Sequence, residues 1–172
     1  MPGASGAASP VVTTTSTTDS PGAGTGTGTG TGAPATTCAG LTAAQVGRLL
    51  KTDVGEGVPD PRTATDGRRQ LDGCTYSADG GVRLGYLVWQ VAVAGDQDLV
   101  EQGLPPAGSG ARSFSPETGR VSAGAVVTTG PVTTAQVNAV VRKRLVQVSA
   151  TAATAALARS AATSAAATLI GD

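Results

Sequence analysis

The 172-residue chain contains no histidine. That removes the commonest general base, the commonest metal ligand and the usual partner of a serine nucleophile. Aromatic side chains are nearly as scarce. Tyr76, Tyr86, Trp89 and Phe114 are the full set, and Ile170 is the one isoleucine. The nominal hydrophobic content of 40% owes much to alanine. Such a core buries little area per residue, and at roughly 25 cal/mol per Å² of apolar surface its stability is modest enough for a covalent brace to matter. No charge of either sign is in excess: 12 Lys and Arg balance 12 Asp and Glu, with ten of the cations Arg. Nucleic-acid binding and polybasic membrane contact rest on positive excess, so neither is expected. The abundance of Ala, Gly, Val, Thr and Arg has the cast of a GC-rich genome, such as an actinobacterial one.

Glycine is plentiful, with 25 residues, but brings no phosphate-binding motif. A G-x-G-x-x-G pattern started at Gly22 meets Thr27 at its last position, and "GRLLKT" (Gly47 to Thr52) has Leu50 where a P-loop needs glycine before its lysine. Residues 1–37 are almost wholly Gly, Ser, Thr, Ala and Pro, with Asp19 the one charged side chain. Nothing in them offsets the entropy of ordering, so they read as a disordered linker of roughly 30–35 Å root-mean-square reach. Their threonines could accept O-linked sugars, as in mucin-like stalks, but an unmodified linker is the better reading of the composition. A secretory signal needs a basic stretch followed by an apolar run of roughly 7–15 residues. Neither opens this chain, and a polar stalk before a two-cysteine domain carries the expectation that a signal or a lipid-bearing cysteine lies upstream of Met1.

Order is expected to begin at Cys38. In "LTAAQV", Thr42 and Gln45 form a capping box and Leu41 and Val46 a hydrophobic staple, predicting a helix that ends near Lys51. "VTTAQV", Val132 to Val137, repeats the device. With Val137, Val140, Val141, Leu145 and Val148 read as one face, it predicts a long helix from Ala135 to about Ala158. The remainder, 159–172, is alanine-rich with few large side chains and reads as a fraying tail; Arg159 and the frequent Ser and Thr argue against a membrane span. Between the helices, "LDGCTYSA" and "GVRLGYLVWQVAVAG" flank the turn signal Asp79–Gly81 as a hairpin. Val82, Leu84, Tyr86 and Val88 share one face of its second strand, and Leu87, Trp89, Val91 and Val93 the other, which suggests a central strand. "DQDLVEQG" reads as a short helix or turn from Asp96, and "ARSFS" and "GRVSAGAVVTTG" as a second hairpin around Pro116–Gly119. The expected architecture is α+β: a disordered tail (1–37), then a domain (38–158) in which an antiparallel sheet of four to five strands is packed by an N-terminal and a long C-terminal helix, then the tail 159–172.

Cys38 and Cys74 are the two cysteines. Their separation rules out a C-x-x-C motif, and two thiols without histidine make a poor metal site. In an oxidising compartment they form a structural disulfide worth roughly 3–4 kcal/mol; in the cytosol they are two independent buried thiols. "CAGLTAAQV", Cys38 to Val46, followed by "CTY", Cys74 to Tyr76, resembles a group of actinobacterial secreted lipoproteins of unknown function. Those proteins share a C-x-x-L-T-x-x-x-V start, a later cysteine followed two residues on by Trp or Tyr, and a Ser/Thr/Gly-rich stalk. The match rests on Cys38, Leu41, Thr42, Val46, Cys74 and Tyr76. It implies an envelope location and supplies no catalytic residues.

Asp96, Asp98 and Glu101 are the densest acidic cluster. They lack the glycine and distal glutamate of an EF-hand loop and are better explained by a helix dipole. Arg142–Arg144 read as a solvated face of the long helix, Ser113 and Ser115 have no base, and Trp89 reads as core. No cofactor and no metal is expected. The resulting reading is a non-enzymatic secreted or envelope-attached module, binding an envelope protein, a polymer or a small ligand, with any membrane contact through an upstream anchor. The alternatives are a structural envelope protein without a pocket, or a hydrolase using Asp96, Asp98 and Glu101. A concave apolar pocket between helix and sheet would separate the first two.

Overall fold

A computed structural model of the chain describes residues 38–63, 67–92, 97–106, 108–118 and 120–171. The expected linker 1–37 and Asp96 lie outside them. The described part is α+β. It runs α1 (Ala43–Leu50), β1 (Val58–Pro59), β2 (Arg69–Ser77), β3 (Arg83–Gln90), α2 (Gln97–Glu101), β4 (Arg112–Phe114), β5 (Val121–Thr129), β6 (Val132–Val141), β7 (Arg144–Ala152) and α3 (Ala155–Gly171). One antiparallel seven-stranded sheet has the order β1-β2-β3-β7-β6-β5-β4. Seven strands replace the expected four to five.

α1 forms as its sequence dictates. Thr42 Oγ1 accepts from the amide of Gln45 at 3.2 Å, Gln45 Oε1 accepts from the amide of Thr42 at 2.8 Å, and Lys51 turns left-handed to close the helix onto Gly47. The β2–β3 hairpin turns at Asp79–Gly81, where Gly80 and Gly81 take positive φ.

The expected long helix from Ala135 to Ala158 does not exist. Its first three quarters belong to the β6–β7 hairpin, and the match of Thr133 and Gln136 to a capping box is a coincidence of composition. Thr133, Ala135, Val137 and Ala139 alternate strictly with Thr134, Gln136, Asn138 and Val140, and the run is rich in β-branched residues that fit a pleated sheet. Val137 and Val148, read as one helical face with Val140 and Leu145, lie in a different core cluster from them. The turn between the strands carries no glycine or asparagine. Arg142 itself adopts φ 53°, so the usual hairpin signal is missing from the sequence. Arg142–Arg144 accordingly belong to a turn and a strand start rather than to a helix face.

Residues 159–171, expected to fray, form most of α3. Ala158, Ala161, Ala162, Ala165, Ala166, Leu169 and Ile170 make a buried stripe at helical spacing. The sheet face beneath is equally small: Ala135, Ala139, Ala150 and Ala152 lie among Val137, Val146 and Val148. Methyl groups on both surfaces let the helix approach closely, and close packing supplies the dispersion contacts that side-chain size does not. α1 joins α3 on this face, with Leu41, Val46 and Leu50 buried beside Tyr76, Leu84 and Tyr86. α2 lies on the opposite face, where Val100 packs with Trp89, Val91, Val140 and Leu145. The two faces read from the sequence for Leu84, Tyr86 and Val88 against Leu87, Trp89 and Val91 are those observed.

Candidate functional site

The cysteines are joined: Cys38 and Cys74 form a disulfide with a Cα–Cα distance of 5.3 Å. It ties the segment leading into α1 to the middle of β2. Beside it lies a polar latch that the sequence did not reveal. Asp72 is buried, and its Oδ2 accepts from the amide of Gly40 at 2.7 Å and from the hydroxyl of Tyr86 at 2.7 Å, while Oδ1 accepts from the amide of Gly73 at 2.8 Å. The Gly40 amide also reaches the Tyr86 hydroxyl at 2.9 Å, and the Tyr76 hydroxyl donates to the carbonyl of Leu41. Burial, then the hydrogen bond to Asp72, raises the Tyr86 hydroxyl far above its usual pKa; burial followed by the Asp72 charge raises Tyr76 as well.

A β-bulge between Gln70 and Asp72 makes the latch possible. In a regular strand these two residues would share a face. The bulge sends Asp72 to the helix side, and it sends Gln70 to the other side, opposite Trp89. There Gln70 Oε1 accepts from the amide of Arg62 at 2.6 Å, and its Nε2 donates to the carbonyl of Asp60 at 2.8 Å. The strap 60–62 is thereby held over one side of the open sheet face. Arg62 is paired with Asp60 through two contacts of 2.8 Å.

The far wall is built in the same way. Asn138 is buried, and its Nδ2 donates to the carbonyls of Val100 at 3.0 Å and Gln102 at 2.8 Å, which caps α2 and fixes it on the sheet. Between the walls the register aligns Thr75, Gly85, Ser149 and Gln136 across four neighbouring strands, and Leu87, Gln147 and Asn138 in the next row. The result is a groove of about 360 Å³ whose lining includes these residues, Arg83 and Gly103. Gln147 Oε1 accepts from the Trp89 indole N–H at 2.8 Å, so the tryptophan is core, as expected, yet orients a groove residue. Gln136 Oε1 is shielded from solvent and has no hydrogen-bond partner among the described residues. A shielded acceptor without a donor is costly, and a ligand that donates to it would relieve the cost.

This groove lies on the sheet face away from α1 and α3, and its lining mixes polar and apolar groups. It is not the apolar pocket between helix and sheet that would have marked a ligand site in the sequence. Its polar residues were hidden by the helical reading of 135–158. The signal that finds them is the alternation Thr134, Gln136, Asn138 and Gln147, Ser149, Thr151 against alanine and valine.

The other sequence candidates lie elsewhere. Asp98 and Glu101 are exposed on α2, where Glu101 Oε1 accepts from the side-chain Nε2 of Gln97 at 3.0 Å. Ser113 and Ser115 are exposed in and after β4. Among the described residues no three or more Cys, Asp or Glu side chains gather as a metal site, and no helix is long and apolar enough to cross a membrane. Comparison with known proteins finds no matching family model, no matching curated protein and no matching solved structure, so the chemistry of this chain has to be read from its own residues.

Proposed function

We propose that the chain is a non-enzymatic binding module of the cell envelope or exterior, held on a stalk of the Gly/Ser/Thr/Pro-rich composition of residues 1–37 and presenting the open-face groove to a small ligand. The observation that carries this reading is the groove itself. Its walls are fixed by Gln70 and Asn138, its floor is kept low by Gly85, and its one shielded orphan acceptor is Gln136 Oε1. Fixed walls and a few placed polar groups are what a binding site needs. The disulfide supports an oxidising compartment, because such bonds persist chiefly outside the cytosol. The resemblance of Cys38–Val46 and Cys74–Tyr76 to secreted lipoproteins agrees with that placement.

The test is a screen of small polar molecules by amide NMR, run on the native chain and on Gly85→Leu. A Cβ at Gly85 would meet Thr75 Oγ1 at 3.4 Å, an ordinary contact, so the variant should fold while its side chain fills the groove. Shifts at the amides of Gly85, Gln136 and Ser149 that vanish in Gly85→Leu are expected. A screen that leaves those amides unmoved in the native chain would remove the basis of the reading.

A further inference from the structure

The groove's two cationic side chains are not equivalent. Arg62 is held by the Asp60 carboxylate. Arg83 is exposed at the groove's lining and has no carboxylate partner among the described residues. We propose, resting on the reading of the groove as a binding site, that it takes a small, hydroxyl-rich carboxylate of the sugar-acid class, with Arg83 receiving the carboxylate and Gln136 Oε1 accepting from a ligand hydroxyl.

Four observations converge on this chemistry. A guanidinium without a partner selects a carboxylate or similar anion. Gln136 Oε1 requires a donor, which a simple anion lacks and a hydroxyl supplies. Thr75 and Ser149 offer hydroxyls that both donate and accept, and the Gln147 amide, its oxygen occupied by Trp89, has N–H groups left to give. The groove presents Leu87 as its one large apolar side chain beside the small and polar ones, since Tyr86 and Val148 send theirs into the helix-side core. A ligand with much apolar surface would find little to cover it.

Dimensions agree. Arg83 belongs to β3 and Gln136 to β6, with β7 between them. Arg83 aligns through Thr151 with Thr134, two residues along β6 from Gln136, so two strand spacings across and two residues along set these positions roughly 11–12 Å apart. A single sugar ring with an appended carboxylate, its two ends met by side chains reaching inward, spans what is left. A volume of about 360 Å³ accommodates one or two such rings.

The experiment titrates the native chain with D-glucuronate, D-glucose and D-glucosamine and follows the amides of Gly85, Gln136 and Ser149. Glucuronate is expected to bind about tenfold more tightly than glucose, the contribution of one charge-assisted pair at an open site, and glucosamine more weakly than either. Arg83→Gln should abolish the preference, so that glucuronate and glucose bind equally. Gln136→Leu should weaken both. Equal binding of glucose and glucuronate, or tighter binding of glucosamine, overturns the assignment of the carboxylate to Arg83 while the groove remains a binding site. Silence with all three sugars overturns the sugar-acid class, and the groove reading falls with it only if the wider screen is silent too.

Discussion

Reduction of the Cys38–Cys74 bond is the perturbation that bears most directly on how this domain holds together. The bond closes a loop of 36 residues. In the chain-entropy description a loop of that length withholds about 4 kcal/mol of freedom from the unfolded state. That is a large share of the roughly 5–15 kcal/mol that separates folded from unfolded chains in general, and this core is built mainly of alanine and valine. For a domain of this size the melting temperature should fall by roughly 12–20 °C on full reduction. Thermal unfolding followed by far-ultraviolet circular dichroism, with and without a phosphine reductant, reads the shift, and thiol titration after denaturation verifies that both sulfurs are free. The double substitution Cys38→Ala and Cys74→Ala should lose slightly more, because Cys74 is fully buried and its truncation leaves a void. The latch of Asp72, Tyr86 and Gly40 stays available in the reduced chain, so the fold should survive at low temperature. A fully reduced protein that melts within about 5 °C of the oxidised one would refute the reasoning, since the latch alone would then be closing the loop.

Two further outcomes follow from the packing and from the buried tyrosines. Ala162→Leu places three extra carbons into a fully buried contact between α3 and the sheet, and should destabilise by about 1–3 kcal/mol or more in urea unfolding, although leucine is a good helix former. Stability should also fall as the pH rises above about 10, where unfolded tyrosine ionises while folded Tyr86 and Tyr76 hold their protons: their raised folded values mean that the stabilisation is complete below the unfolded pKa and is lost toward the folded one. Tyr86→Phe should flatten that alkaline decline when stability is measured at pH 8 and pH 11.

Local rules were legible wherever a residue's immediate neighbours decide its geometry. Thr42 and Gln45 satisfy each other's backbone whatever surrounds them, and so α1 begins and ends where the sequence places it. Asp79–Gly81 turns because Gly80 and Gly81 tolerate positive φ. The two faces of β3 follow from alternation alone. The same rules misread residues 133–158. Thr133 and Gln136 match a capping box, but β6 has β5 on one side and β7 on the other, and two ladders of hydrogen bonds outweigh one helical cap. In α3 the error ran the other way: an alanine stripe looks too weak to hold a helix until a sheet face of alanine and valine lies beneath it.

The sequence by itself determined the absence of histidine, the pair of sulfurs, the start of α1 and the α+β class, because each depends on residue identity or on spacing over a few positions. Tertiary structure alone decided that Asp72 would be buried against Gly40 and Tyr86, that Gln70 would face away from it, and that Gln136, Asn138, Gln147 and Ser149 would meet at one groove. Those outcomes depend on a single bulge in β2 and on the register of strands distant in sequence. Register is set by the burial of whole faces, which no short stretch of the chain encodes.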